Sequence, residues 1–258
     1  MSYETLLVES KQDLLIVTLN RVDHKNSIND QLLQELNQML DLAEQDPQCH
    51  AIVLQGKDGF FCTGMDFEQV TQQVLAGQTA SFASDTYMNV LKRFSSSAKI
   101  IIAKVDGRVL AGGMGILAAC DMVIASNQSQ FGLSEAMWGL LPANVMPFLI
   151  RRVGFQPAYF MTLTMQNINA QRAYEIHLVD EVSENLDDSL RRLMLSLRRI
   201  NNSTVLEAKK FFRKMWLINE EMEQCAIAEL KHLMAQPEVI NNIKNFALHQ
   251  QFPWEKNA

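Results

Sequence analysis

The feature that most constrains the fold is an alternation of short apolar runs with helical stretches in the first half of the chain. Apolar runs typical of strands lie at residues 14–19, 51–54, 100–105 and 122–125, with helical patterns between them. Parallel strands are joined by long crossover connections, commonly helices, and these crossovers are right-handed. The alternation therefore predicts an α/β fold around a largely parallel sheet.

A helical region is predicted to follow this α/β core. Almost every stretch after Pro142 repeats its apolar residues at the helical period, and no low-complexity linker separates the two parts. We expect a core domain of residues 1–195 and a C-terminal helical region of residues 196–258. Helices that keep an apolar stripe after covering a core often use it on another subunit. The C-terminal region is therefore expected to pack on the core and on neighbouring subunits.

The composition argues against several classes of protein. The chain has 258 residues and a formal net charge of −6, which disfavours bulk attraction to nucleic acid. Its four cysteines are far apart and form no Cys-x-x-Cys pair, so neither a disulfide framework nor a metal site is expected. The sequence lacks a signal-peptide pattern and any apolar run near the ~20 residues of a membrane span. We expect a cytoplasmic protein without a membrane partner.

Three short segments combine glycine with potential catalytic groups. They are residues 60–67, 106–115 and 130–135, and each follows one of the predicted strands. In α/β sheets, ligands bind near the carboxyl ends of the strands. We therefore expect the three segments to meet at one ligand site.

The middle segment can bind negative charge through its backbone. Gly112 and Gly113 open an apolar helix that runs to about Cys120. The free N–H groups of a first helical turn favour an anion or a developing oxyanion. The turn matches neither the dinucleotide fingerprint nor the phosphate-binding loop, so it does not indicate a nucleotide. Taken alone, such a turn is more often structural than functional.

Together the segments resemble the enoyl-CoA hydratase (crotonase) family. The turn Gly64-Met65-Asp66-Phe67 resembles the family's G-A-D turn, and residues 111–121 resemble its glycine-rich segment. Residues 131–135 resemble its F-G-x-x-E segment, and residues 20–29 resemble its N-terminal N-R stretch. The resemblance spans residues 14–249. It implies the crotonase fold, a spiral of ββα units with a helical C-terminal trimerisation region, and a homotrimer or a hexamer of two trimers.

The resemblance also implies how a substrate is held. Family members bind the carbonyl oxygen of an acyl thioester with two backbone N–H groups, and the matching residues are Met65 and Gly112. Gly64 and Gly113 beside them are expected to contact the substrate. Lys25 and Ser27 match positions that contact the nucleotide or pantetheine part of the thioester. No cofactor is expected beyond the phosphopantetheine or coenzyme A that carries the substrate.

The acidic residues indicate which reaction is expected. Typical hydratases of this family use two glutamates, of which Glu135 matches the second, whereas Gly115 replaces the first. The expected catalytic residues are therefore Glu135 and, as a substitute acid or base, Asp66. Each also has a structural interpretation. Glu135 would be a first-turn carboxylate stabilised by a helix dipole, and Asp66 would cap a turn.

A narrower resemblance concerns the dehydrating enzymes of polyketide β-branching cassettes. It rests on residues 111–115, Ser134-Glu135, the run 141–152 and the tail 251–255. These enzymes remove water from a 3-hydroxy-3-methylglutaryl group on an acyl carrier protein, which gives 3-methylglutaconyl-acyl carrier protein. The resemblance implies the same carbon–oxygen lyase (hydro-lyase) activity and an acyl carrier protein as partner.

Three questions stay open from the sequence alone. One alternative is a hydratase or isomerase that acts on free coenzyme A thioesters. Another is a catalytically silent acyl-thioester binder, because Gly115 removes one acid. The distal carboxylate of the substrate needs a cation or donor, for which Arg108, Lys92 and Arg93 are equal candidates.

Overall fold

The computed structural model describes residues 3–216 and 219–257. Its strands are β1 (Leu6–Lys11), β2 (Leu14–Leu19), β3 (Ala51–Gln55), β4 (Phe60–Cys62), β5 (Ile100–Val105), β6 (Arg108–Leu110), β7 (Met122–Ser126), β8 (Gln130–Gly132), β9 (Ile168–Asn169) and β10 (Glu181–Ser183). Its α-helices are α1 (Asp30–Gln45), α2 (Phe67–Leu75), α3 (Ser84–Ser96), α4 (Gly112–Ala119), α5 (Met146–Val153), α6 (Phe155–Thr164), α7 (Ala170–Glu175), α8 (Leu186–Leu197), α9 (Asn202–Met215), α10 (Glu220–Met234) and α11 (Pro237–His249). Short 3₁₀ helices cover Val22–His24, Glu135–Trp138 and Pro253–Asn257.

The larger sheet has six strands in the order β1-β2-β3-β5-β7-β10. Strands β1 and β2 form an antiparallel hairpin, and every other neighbouring pair is parallel. The central strands β3 and β5 are mostly apolar, with Gln55 and Lys104 as the exceptions, because both faces of the sheet are covered. One face contributes to the main core, and the other packs against Leu190 and Met194 of α8. The predicted α/β architecture with a largely parallel sheet is confirmed.

A smaller sheet of four strands has the order β4-β6-β8-β9. Strands β4, β6 and β8 are neighbours and parallel, and each has only three residues. These three strands begin or lie within the three glycine-containing segments described above. Because their carboxyl ends meet at one edge, the segments that follow them converge there.

Helix α1 shows how local sequence and packing agree. The Asn29 side chain accepts a hydrogen bond from the Leu32 amide at 2.9 Å, so it caps the helix. Leu32, Leu36 and Leu40 lie on its buried face. Burying each such side chain contributes about 1.5–3 kcal/mol. Capping adds about 1 kcal/mol.

The C-terminal helices close over the core of their own chain. Helix α11 packs against α2. The Trp138 ring lies 5.3 Å from Phe67, 4.7 Å from Phe246 and 5.8 Å from Phe252, measured between ring centroids. The division expected after residue 195 falls within α8. No helix in the described ranges is long and apolar enough to cross a membrane.

Candidate active site

A pocket of about 380 Å³ opens where the three glycine-containing segments converge. Its walls also include α3, the turn 141–145 and α11, so one end of the pocket is covered by the C-terminal region of the same chain. Of the residues predicted for the site, the lining includes Lys25, Ser27, Met65, Asp66, Gly112 and Glu135. Gly64 and Gly113 lie directly behind this surface, in contact with neighbouring backbone.

Two glycine turns touch at the centre of the site. Gly64 has a φ of +86°, and a side chain there would place its Cβ 2.7 Å from the Ala111 Cβ and 2.8 Å from the Gly112 nitrogen. Real Cβ atoms do not approach so closely, and a φ of this sign is easily adopted only by glycine. Glycine at position 64 therefore lets the two turns meet.

The Met65 amide is oriented by a β-bridge. The Ile28 amide donates to the Gly64 carbonyl at 2.7 Å, and the Asp66 amide donates to the Ile28 carbonyl at 3.0 Å. The C=O and N–H of one trans peptide point in opposite directions. The Met65 N–H, which shares a peptide with the Gly64 carbonyl, therefore points away from Ile28.

The second amide comes from the start of α4. The Ala111 amide donates to the Gly132 carbonyl at 3.0 Å, and Gly112 is the first residue of the helix. First-turn amides have no acceptor within their own helix. Ala111 has a φ of +49°, a conformation that costs an L-residue about 1–3 kcal/mol. The chain thus departs from the family's glycine here, yet keeps the backbone conformation of a glycine.

Glu135 lines the pocket as the first residue of a 3₁₀ helix. The Ser134 amide donates to its Oε2 atom at 2.9 Å. Burial raises the pKa of Glu135 to about 7, against the lowering effect of this hydrogen bond and that of its own backbone amide. A carboxyl group poised near neutral pH can both accept and release a proton during turnover.

Asp66 is occupied on both of its oxygens. Its Oδ2 atom lies 2.7 Å from the Arg21 guanidinium, and its Oδ1 atom accepts from the amides of Glu68 and Gln69 at the start of α2. Its side chain is 5% exposed. Arg21 also donates to the Ser27 carbonyl at 2.5 Å and to the Ser27 hydroxyl at 3.0 Å. These contacts match the capping role and tie the Met65 turn to the N-terminal segment.

Tyr87 occupies the space of the missing acid. A side chain at Gly115 would overlap the Tyr87 hydroxyl and would come 3.2 Å from Val145 Cγ2. The hydroxyl donates to the Gly112 carbonyl at 2.5 Å, and the residue is 2% exposed. Burial and the nearby Cys62 and Glu135 raise the pKa of Tyr87 well above its usual value. Tyr87 is therefore a neutral phenol at the position where other family members project a carboxylate.

Two cations lie at the rim of the pocket. The Lys25 ammonium lies 5.9 Å from the centre of the Phe60 ring, and Phe60 pairs with Arg108 across β4 and β6. Side chains in register on neighbouring strands share a face. Lys25 and Arg108 thus flank Phe60, and both are exposed.

The other two candidates for a distal carboxylate are engaged elsewhere. Lys92 lies 2.8 Å from Glu223, and Arg93 lies 2.6 Å from Asp41. Neither of the two lines the pocket, whereas Arg108 does.

One cluster has the composition of a metal site. Ligand atoms of His24, Asp66 and Glu68 lie within 4.8 Å of one another. The Arg21 guanidinium already balances the charge of Asp66, and His24 lies 3.3 Å from Glu68. These ion pairs account for the cluster, so the three side chains do not suggest a metal site.

The fold and this site define the class of protein. The sequence matches the enoyl-CoA hydratase/isomerase family over residues 9–257, and the chain belongs to that family. It is an enzyme of the hydro-lyase type, and its relatives include proteins named as hydratases and a dehydratase. The family predicted from the motifs is confirmed.

Individual relatives indicate which members of the family the chain resembles. The chain is 32% identical to the Bacillaene synthase dehydratase PksH of Bacillus subtilis over 255 residues, which cover 99% of this chain and 98% of that protein. It is 34% identical to the 2,3-dehydroadipyl-CoA hydratase of Escherichia coli over 178 residues, 69% of this chain and 68% of the relative. The crystal structure of a polyketide biosynthesis enoyl-CoA hydratase (PksH) from Bacillus subtilis superimposes with a TM-score of 0.94 at 31% identity, covering 98% of this chain and all of the other.

Tyr87 and Asn144 line the pocket, although no motif in the sequence points to them. Tyr87 lies on α3, far in sequence from the glycine turns, and Asn144 lies in the turn before α5. Neither carries a local motif. Asn144 falls within the run 141–152, which contributes to the resemblance, but the resemblance implies no role for the residue itself.

Proposed function

We propose that the protein removes water from 3-hydroxy-3-methylglutaryl-acyl carrier protein to give 3-methylglutaconyl-acyl carrier protein in polyketide β-branching. The observation that carries the proposal is one buried carboxyl group, Glu135, beside two converging turns, with no second acid at Gly115. The similarity to a protein named as a bacillaene synthase dehydratase supports the direction of the reaction and the polyketide setting.

The first step forms an enolate. The Glu135 carboxylate removes a proton from the α carbon, and the electron pair moves onto the thioester oxygen. The amides of Met65 and Gly112 hold that oxygen, and Gly64 and Gly113 allow the backbone to approach it. Preorganised donors of this kind contribute about 3–4 kcal/mol each to transition-state stabilisation.

The second step eliminates water. The proton now on Glu135 passes to the β-hydroxyl, the carbon–oxygen bond breaks, and the electron pair of the enolate forms the double bond. One carboxyl group acts first as base and then as acid, which suits a pKa near 7. In this proposal Asp66 orients the Met65 turn and does not transfer protons.

The carrier is expected to reach the pocket at its cationic rim. Lys25 and Arg108 flank Phe60 there, and they are suited to the phosphodiester of a phosphopantetheine arm. Ser27 is buried and also lines the pocket.

We also propose a homotrimer or a pair of trimers. Helix α6 exposes Phe155, Phe160 and Leu163, and α9 exposes Phe211 and Phe212, each more than half exposed. Large apolar side chains left exposed on a helix are typical of subunit contacts when they form a patch.

The test is mass spectrometry of carrier-bound 3-hydroxy-3-methylglutaryl substrate after incubation with the enzyme. We expect the loss of one water without the loss of carbon dioxide. The matching coenzyme A thioester is assayed in parallel, because the relatives named as coenzyme A hydratases favour it as the second candidate. If the coenzyme A substrate is turned over faster, the protein is an enzyme of free coenzyme A thioesters and the carrier-linked proposal is wrong. An unchanged mass with both substrates would contradict dehydration.

A further inference from the structure

The turn that precedes α5 places a buried amide in the wall of the pocket. Asn144 is 2% exposed, and its Nδ2 atom donates to the Ser84 carbonyl at 3.1 Å. The opposite orientation of the amide would set two oxygens against each other, so the donor side is fixed toward Ser84.

The other atom of this amide is unpaired. Asn144 Oδ1 is buried and accepts no hydrogen bond from any residue that the structure describes. A buried acceptor without a donor costs free energy, and such an atom in a native pocket calls for a physical reason. A ligand that brings a donor to Oδ1 would remove the cost.

The surroundings of Asn144 indicate which part of a substrate would lie near it. Asn144 precedes Val145, which borders the same space at Gly115 that the Tyr87 hydroxyl fills. Ser84 and Tyr87 lie one turn apart on α3. The amide is therefore close to the position where a second carboxylate would project, three residues into α4 from Gly112. Asn144 is buried and lines the same pocket as Glu135, whereas Lys25 and Arg108 are exposed at its rim, so we assign Asn144 to the acyl end.

We propose that Asn144 is the residue that recognises the β-hydroxyl of the acyl group, with its Oδ1 atom accepting the hydroxyl hydrogen. The inference rests on the proposed function and adds a specificity-determining residue to it. With the hydroxyl hydrogen held by Asn144, the lone pairs of that oxygen are free to receive the proton from Glu135. A neutral acceptor thus orients the leaving group where a second acid is absent.

The test compares two reactions of one protein. The hydroxylated substrate, 3-hydroxy-3-methylglutaryl pantetheine, reports elimination of water. Its analogue without the hydroxyl, 3-methylglutaryl pantetheine, reports exchange of the α hydrogen in deuterated water. Only the first reaction involves the hydroxyl, whereas both need Glu135 and the two backbone amides.

Asn144→Ala is expected to slow elimination about tenfold, the effect of losing one hydrogen bond, and to leave exchange within twofold. Leu141→Ala is the matched control, because Leu141 lies in the same pocket wall and is 42% exposed. Leu141→Ala should leave the ratio of the elimination rate to the exchange rate almost unchanged. Equal losses in both reactions, or no loss in either, would overturn the proposal.

A second measurement keeps Asn144 intact in case its replacement does not fold. In the Glu135→Gln protein, calorimetry compares binding of the two pantetheine thioesters. We expect about tenfold tighter binding of the hydroxylated one. Equal affinities would overturn the role of Asn144. Absence of both elimination and exchange in the unmodified enzyme would instead count against the proposed function.

Discussion

The Tyr87 hydroxyl fills the volume into which any side chain at Gly115 would project. The same hydroxyl donates to the Gly112 carbonyl, so one side chain both excludes a second acid and braces the start of α4. Glycine at position 115 and tyrosine at position 87 are therefore coupled.

Replacing Gly115 tests this coupling through stability. Gly115→Ala is expected to lower the free energy of unfolding by about 1–3 kcal/mol, because its Cβ overlaps the Tyr87 hydroxyl. Adding Tyr87→Leu should recover part of the loss, and urea unfolding of the four proteins of this cycle gives the coupling energy. Purely additive effects would show that the two positions are independent.

Glu135 is expected to limit stability at high pH. Its folded pKa of about 7 lies above the ordinary value of 4.5, so the folded chain holds the proton more tightly than the unfolded chain. The stability penalty is absent below pH 4.5, grows as the pH rises, and is complete above about pH 7. Glu135→Gln should therefore be more stable than the unmodified protein at pH 8, by up to about 3 kcal/mol.

Thermal unfolding of Glu135→Gln and of the unmodified protein from pH 5 to pH 8 measures this difference in stability. Glu35→Gln is a suitable comparison, because hydrogen bonds from Thr5, Glu4 and Gln31 lower the pKa of Glu35 against its desolvation. That change should destabilise the protein at pH 8. A pH-independent gap between Glu135→Gln and the unmodified protein would contradict a raised pKa of Glu135.

Asp66 is expected to act on stability more than on chemistry. Asp66→Asn keeps a helix cap but leaves the Arg21 guanidinium without its anion, at a cost of about 3 kcal/mol. Exchange of the α hydrogen, measured per folded molecule, should stay within a few-fold of normal. If Asp66→Asn unfolds normally but loses as much α-hydrogen exchange as Glu135→Gln, Asp66 is a proton-transfer group.

The rim cations are expected to govern affinity for the carrier. Lys25→Ala and Arg108→Ala should each raise KM for the carrier-linked substrate with little change in kcat, and the effect should shrink at high salt because exposed charges are screened. Lys57→Ala, a change at an exposed lysine outside the pocket lining, is the control. If Arg108→Ala instead removed the preference for an acyl group with a distal carboxylate, Arg108 would bind that carboxylate.

Much of the fold could be predicted because its main elements carry strong periodic patterns. The strands β3 and β5 are apolar except for Gln55 and Lys104, and α1 has both a cap and an apolar stripe. The strands β4, β6 and β8 have three residues each, too few for a pattern to show. Their existence follows from pairing between distant segments, which only the folded chain displays.

The site was predictable where it depends on local backbone. Met65, Gly112 and Glu135 carry motifs, and all three line the pocket. Tyr87 and Asn144 act through space alone: one meets Gly115 and the other meets Ser84, each from a distant part of the chain. The raised pKa of Glu135 also depends on burial, which no neighbouring residue in the sequence reveals.

The most direct test of the whole account is α-hydrogen exchange by Glu135→Gln beside the unmodified enzyme, followed by mass spectrometry in deuterated water. The unmodified enzyme should exchange and dehydrate its substrate, with kcat/KM rising up to about pH 7 and then levelling. Glu135→Gln should bind the thioester and do neither. Exchange at a near-normal rate in the folded Glu135→Gln protein would contradict a mechanism that depends on this single carboxyl group.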